Sequence, residues 1–176
     1  MIIGICKETF LGEQRVAIVP ALVPSLAKQG LQVLVETDAG SAAGMPDAAF
    51  EEKGAKVVPG RAEVYSSAEV ILQVRTLGAN PEMSASDLAL MRSGQIVIGF
   101  SEPLGAPEPV RAAAGKGVTS FSLELLPRIT RAQSMDALSS MATVAGYKAV
   151  LLAAAALPKM FPMLMTGRYD FFGLKR

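Results

Sequence analysis

The sequence predicts an α/β domain: a mostly parallel twisted sheet with helices on both faces, Rossmann- or flavodoxin-like, followed by a long C-terminal helix. Three observations predict it. Six short runs rich in Val, Ile and Leu are bounded by turn residues, as strands buried on both faces require. Stretches of helical length, several opened by proline and closed by glycine, separate these runs. Towards the end, small and apolar residues recur at steps of three and four, the spacing of one helical face.

Ile2 to Cys6 reads as the first strand. Pro20 opens an amphipathic helix carrying Leu22, Val23, Leu26 and Ala27, and Gly30 closes it before a second strand from Leu31 to Glu36. Asp38 to Gly44 contains glycines, but not at the Gly-x-Gly-x-x-Gly spacing, so it reads as a turn before a helix from Pro46 to Lys53. Ala55 to Val58 is a third strand, Arg61 to Ser67 a helix, and Val70 to Val74 a fourth strand ending at Arg75. A loop from Thr76 to Ser84 leads into a helix ending at Arg92, and Gly94 precedes the strand Gln95 to Phe100. A helix from Pro107 to Lys116 and a strand from Val118 to Leu125 follow. Right-handed crossovers put the strand ends at Cys6, Arg75, Phe100 and Leu125 along one edge. Ligands of such sheets bind beyond that edge, so Arg15, Arg75, Glu102 and Arg128 are expected to line one cleft.

The 176 residues are 51% hydrophobic and 19% charged, with a net charge of +1. That is the size of one domain, and nothing in the balance recruits nucleic acid. The single cysteine, Cys6, lies in an apolar run and reads as a small buried hydrophobe in a reducing compartment. There is no histidine, which removes imidazole as acid, base or metal ligand. No signal peptide is expected, because Met1 leads directly into the first strand. The membrane-like run Val150 to Leu157 falls far short of the roughly 20 residues a span needs, so no direct membrane span is expected.

The most informative stretch runs from Leu126 to Val150. Thr130 and Gln133 have the spacing of a capping box, and Ser134 is a second candidate cap, so a helix is expected to start between Arg131 and Met135. Met135, Leu138, Ala142, Ala145, Ala149 and Leu152 would share one face of it. Arg128 and Arg131 then sit at the positive end of its dipole, which disfavours cations by roughly 0.3–1 kcal/mol unless an anion compensates. Arg128, Gln133, Asp136 and Ser139 either tie down the loop or contact a ligand.

The run Pro-Arg-Ile-Thr-Arg-Ala-Gln-Ser-Met-Asp-Ala-Leu-Ser-Ser, continuing to Ala-Gly-Tyr-Lys-Ala-Val, resembles the N-terminal domain of the proton-translocating NAD(P) transhydrogenase alpha subunit. Lys7-Glu8 followed by Gly12-Glu13-Gln14-Arg15-Val16-Ala17 is similar to the opening motif that this family shares with alanine dehydrogenases. The resemblance implies hydride transfer between NAD(H) and NADP(H), coupled to proton translocation in the full enzyme. It implies that Asp136 and Ser139 bond the nicotinamide carboxamide, while Arg128 and Gln133 orient the ring. In alanine dehydrogenases the arginine matching Arg15 binds a substrate carboxylate. Those enzymes also carry a catalytic lysine near Arg75 and a histidine near Ser101-Glu102, and this chain has neither. Arg75 can still bind an anion, but an arginine does not serve as a proton donor.

The resemblance also implies NADP(H) held by a partner subunit, a homodimer, and a cytoplasmic location, peripheral to the inner membrane through transhydrogenase membrane and NADP-binding subunits. It covers Met1 to about Thr166. The expected organisation is an N-terminal α/β domain over 1–133, a connecting helix over 134–166 towards an absent NAD-binding Rossmann domain, and an atypical tail over 167–176. Truncation before that domain is expected to leave an apolar surface uncovered and the isolated chain inactive. Three readings stay open: the N-terminal stretch of a transhydrogenase alpha subunit, a fragment of a related amino-acid dehydrogenase, and a non-catalytic module.

Overall fold

The computed structural model describes residues 1–159. Strands β1 (Ile2–Ile5), β2 (Gln32–Glu36), β3 (Lys56–Val58), β4 (Val70–Arg75), β5 (Ile96–Phe100) and β6 (Thr119–Ser122) form one parallel sheet in the order β3-β2-β1-β4-β5-β6. This is the doubly wound order of dinucleotide-binding domains, with its reversal between β1 and β4. Helices α1 (Val23–Lys28), α2 (Asp47–Glu51), α3 (Arg61–Ser67), α4 (Pro81–Leu90) and α5 (Pro107–Gly115) supply the crossovers, so the predicted fold class is found.

Residues alternate across the sheet as the pleat demands. Ile5, Val33 and Val35 pack with Val23 and Phe50 under α1 and α2. Cys6, Leu34, Ile71 and Val97 pack on the opposite face with Val64, Tyr65 and Ala68 of α3, and with Met91 and Ala113. Burial pushes the Cys6 thiol far above its ordinary pKa, so it stays protonated and serves as packing.

The first face is only half covered. Ile5, Leu72, Ile98 and Phe121 form one row across β1, β4, β5 and β6. Ile5 is fully buried, Leu72 and Ile98 are half-buried, and Phe121 is 56% exposed. Parallel strands normally carry cover on both faces, so this end of the row is an open apolar surface.

Two elements depart from expectation near the C-terminal end. β6 stops at Ser122 and gives way to a 3-10 turn, Leu123–Leu125, because Glu124 turns back to accept from the amides of Ser101 and Glu102. Thr130–Met135 is also 3-10, Thr130 is not its N-cap, and Asp136 has non-helical backbone. Helix α6 therefore runs from Ala137 to Ala156, later than the capping signals suggest. The described chain divides into two units, with the boundary between Asp136 and Ala137. α6 ends at Ala156, ahead of the expected 166, and residues 160–166, like the tail over 167–176, lie outside the described residues.

Up to Ala156, the apolar run expected from Val150 to Leu157 is the end of a longer helix. Ser139, Ser140, Tyr147 and Lys148 do not interrupt it, so 20 residues of mean hydropathy 1.4 form one helix. Among the described residues it is the one helix long and apolar enough to cross a membrane.

Candidate functional site

The loop after β1 brings four side chains to the reversal point. Glu8 reaches the end of β4, where its carboxylate accepts the Val74 amide at 2.6 Å and the Arg75 amide at 3.1 Å. β1 has already ended at Ile5, so Glu8 replaces the neighbouring strand for these two donors. Its burial pushes the carboxyl above the usual range, and the two N–H bonds oppose that.

Glu13 joins the two predicted anion contacts. Its carboxylate accepts from Arg15 at 2.6 and 2.7 Å and from Arg75 Nε at 3.1 Å. Arg75 also stacks on Phe10, with its guanidinium carbon 4.2 Å from the ring centre. A β-bulge aims Arg75 here. Leu72 pairs with Ile98 but Arg75 pairs with Phe100, so β4 takes one more step than β5. Gly99 makes room for the displaced strand: a Cβ there would lie 2.3 Å from the Gln73 carbonyl oxygen.

The Glu13 side chain is 5% exposed, and its hydrogen bond with Arg15 holds its carboxyl at about 2, below the ordinary 4.5. A depressed carboxylate adds stability above its unfolded pKa and loses it as pH falls through the folded value. The destabilisation caused by Glu13→Gln should therefore be full at neutral pH and shrink between about 4.5 and about 2. Urea midpoints of both proteins across that range check this.

Of the four residues expected in one cleft, Arg15 and Arg75 share Glu13, Glu102 follows β5 with its amide on Glu124, and Arg128 is exposed. Gln133 is exposed and Asp136 half-buried on the same loop; Ser139 is exposed in the first turn of α6. Sequence reasoning did not single out Glu8, Phe10, Glu13 and Glu124. The charged cluster between β1 and Pro20 was the available signal for the first three, but a solvated loop produces the same pattern.

Residues 4–145 match the family model described as alanine dehydrogenase/PNT, N-terminal domain. The chain belongs to this family. Within the alanine dehydrogenase/PNT family, it is 39% identical over 160 residues to an NAD(P) transhydrogenase alpha-subunit protein of Rickettsia prowazekii, covering 91% of this chain and 41% of that protein. Identity to the alanine dehydrogenase of Bacillus subtilis is 31%, covering 90% of this chain and 39% of that enzyme. In structure it is similar to the transhydrogenase of Sinorhizobium meliloti, with a TM-score of 0.83 and 44% identity over 94% of this chain and 48% of that one. The chain thus spans less than half the length of these relatives, and its similarity leans to the transhydrogenase branch.

The crevice of this alanine dehydrogenase/PNT domain does not suit a dinucleotide's phosphates. The loop from β1 to its helix holds Gly12 alone where the fingerprint needs three glycines, and Glu8 occupies the adjacent amides.

Proposed function

We propose that this chain is the N-terminal portion of a transhydrogenase alpha subunit and takes part in hydride transfer between NAD(H) and NADP(H). One observation carries the reading against amino-acid oxidation. The crevice residues that alanine dehydrogenases use for proton chemistry are here an arginine bound to Glu13, with no histidine in the chain. Glu13 is held ionised by its hydrogen bond with Arg15, so it is no proton donor near neutral pH, and a guanidinium does not replace the lysine's proton chemistry. Direct transfer between two cofactors needs positioning groups and no acid or base.

In this reading the Asp136 carboxylate accepts from the carboxamide nitrogen and the Ser139 hydroxyl donates to its oxygen. Arg128 and Gln133 restrict the ring to one face. The nicotinamide, when bound, supplies the hydride. A partner subunit holds NADP(H), the chain acts as a homodimer in the cytoplasm, and membrane subunits attach it to the inner membrane. Lys148 supports attachment over insertion: it lies near the middle of α6, where a lysine in lipid costs roughly 2.5–3.5 kcal/mol.

Titration with reduced nicotinamide riboside, followed by backbone amide shifts, tests the loop. Saturable shifts are expected at Arg128, Gln133, Asp136 and Ser139, weakened at least about tenfold by Asp136→Ala. Shifts that avoid this loop would sink the assignment.

A further inference from the structure

At the C-terminal ends of four strands, one or two backbone amides are taken by a carboxylate of the same domain, while Thr37 and Thr76 donate to strand carbonyls. Lys7, after β1, donates to Glu36 at 2.8 Å. Asp38, after β2, donates to both oxygens of Asp47 at 2.9 and 3.1 Å. Val74 and Arg75 of β4 donate to Glu8 at 2.6 and 3.1 Å. Ser101 and Glu102, after β5, converge on one oxygen of Glu124 at 2.8 and 2.5 Å.

The last of these is the most developed. Ser101 is fully buried, Glu102 has a left-handed φ of 51°, and successive N–H groups in such a bend form a concavity suited to anions. The second oxygen of Glu124 is buried and has no hydrogen-bond partner among the described residues. In open α/β sheets this edge is where a nucleotide phosphate finds its backbone donors.

We infer that Glu8, Glu36, Asp47 and Glu124 are specificity-determining residues, built-in anions that keep nucleotide phosphate out of a crevice whose strand order would otherwise receive it. The inference rests on the proposed function in one respect: the dinucleotide then meets this domain through the loop over 126–139 and not through the sheet edge. An incoming phosphate finds these backbone donors occupied. Removing one carboxylate should therefore create an oxyanion site where the intact chain has none.

The test uses the full chain, inorganic pyrophosphate as probe and backbone amide shifts as readout. The unaltered chain is expected to show no saturable shift at Ser101, Glu102, Val74 or Arg75 through the millimolar range. Glu124→Ala should acquire saturable shifts at Ser101 and Glu102, while Glu124→Gln, which keeps an acceptor oxygen, should stay closed. Glu8→Ala should do the same at Val74 and Arg75, and it stands in if Glu124→Ala does not fold. Saturation at these amides in the unaltered chain, or folded alanine variants without a response, would overturn the inference. If neither alanine variant folds, the unaltered chain decides alone, its silence supporting the inference and its saturation ending it. Reduced nicotinamide riboside is titrated in the same samples, so a loop that fails to respond counts against the proposed function and leaves the pyrophosphate result standing.

Discussion

Asp87→Ala should cost the domain about 3–5 kcal/mol, the usual penalty for breaking a buried charge pair from one side. Asp87 is 1% exposed and receives Arg61 through two hydrogen bonds, at 2.6 and 2.9 Å. Arg61, itself 11% exposed, also donates to the Lys7 carbonyl and lies 3.5 Å from Glu36. This guanidinium ties α3 and α4 to the end of β1, directly beneath the loop that carries Glu8 and Glu13. Removing Asp87 leaves a charge with much of its compensation gone. A double variant, Arg61→Met with Asp87→Leu, should recover most of the loss, because it removes the desolvation cost along with the pair. Urea unfolding of the three proteins measures both effects, and a near-neutral Asp87→Ala would contradict this account of the network.

The second large effect is expected at Gly99. Its Cβ in Gly99→Ala would lie 2.3 Å from a backbone oxygen and 3.2 Å from both the Gln73 carbonyl carbon and Thr76 Cγ2. A side chain could swing away, but the Gln73 carbonyl belongs to the bulge. Either the bulge is lost or β5 moves, at a cost of about 3 kcal/mol. Arg75 should then leave Phe10 and Glu13, since the extra residue in β4 is what aims it there. Thermal unfolding reads the first consequence. A crystal structure of the variant reads the second, and an undisturbed Arg75 would show that the bulge does not position it.

The sheet was legible because its strands are apolar, short and punctuated; all six predicted runs contain the observed strands apart from Arg75, which extends β4 by one residue. Crossover handedness decides which face each helix covers, but it leaves the strand order open, so the order β3-β2-β1-β4-β5-β6 was not legible. The bulge at β4 was not legible, since no local pattern distinguishes Val74 and Arg75 from a regular strand end, and the reason for Gly99 lies 26 residues upstream in Gln73. The 3-10 segment Thr130–Met135 was misread because its polar residues satisfy the helix-start pattern equally well, while the backbone of Asp136 turns non-helical. Arg15 and Arg75 were legible as charges without an apolar role. That they converge on Glu13 depends on a contact across 62 residues, which no spacing rule supplies.

The role of the loop over 126–139 is tested most directly in a complete enzyme. Residues 4–145 of this chain can replace the matched segment of the Rickettsia prowazekii alpha-subunit protein. Hydride transfer from NADH to NADP+ is then measured with the partner subunits present. The account predicts an active chimera that loses about a hundredfold with Asp136→Ala, the scale expected when a positioning contact is lost, and that shows no alanine-dependent reduction of NAD+. A chimera indifferent to Asp136→Ala, or one that oxidises alanine, would contradict it.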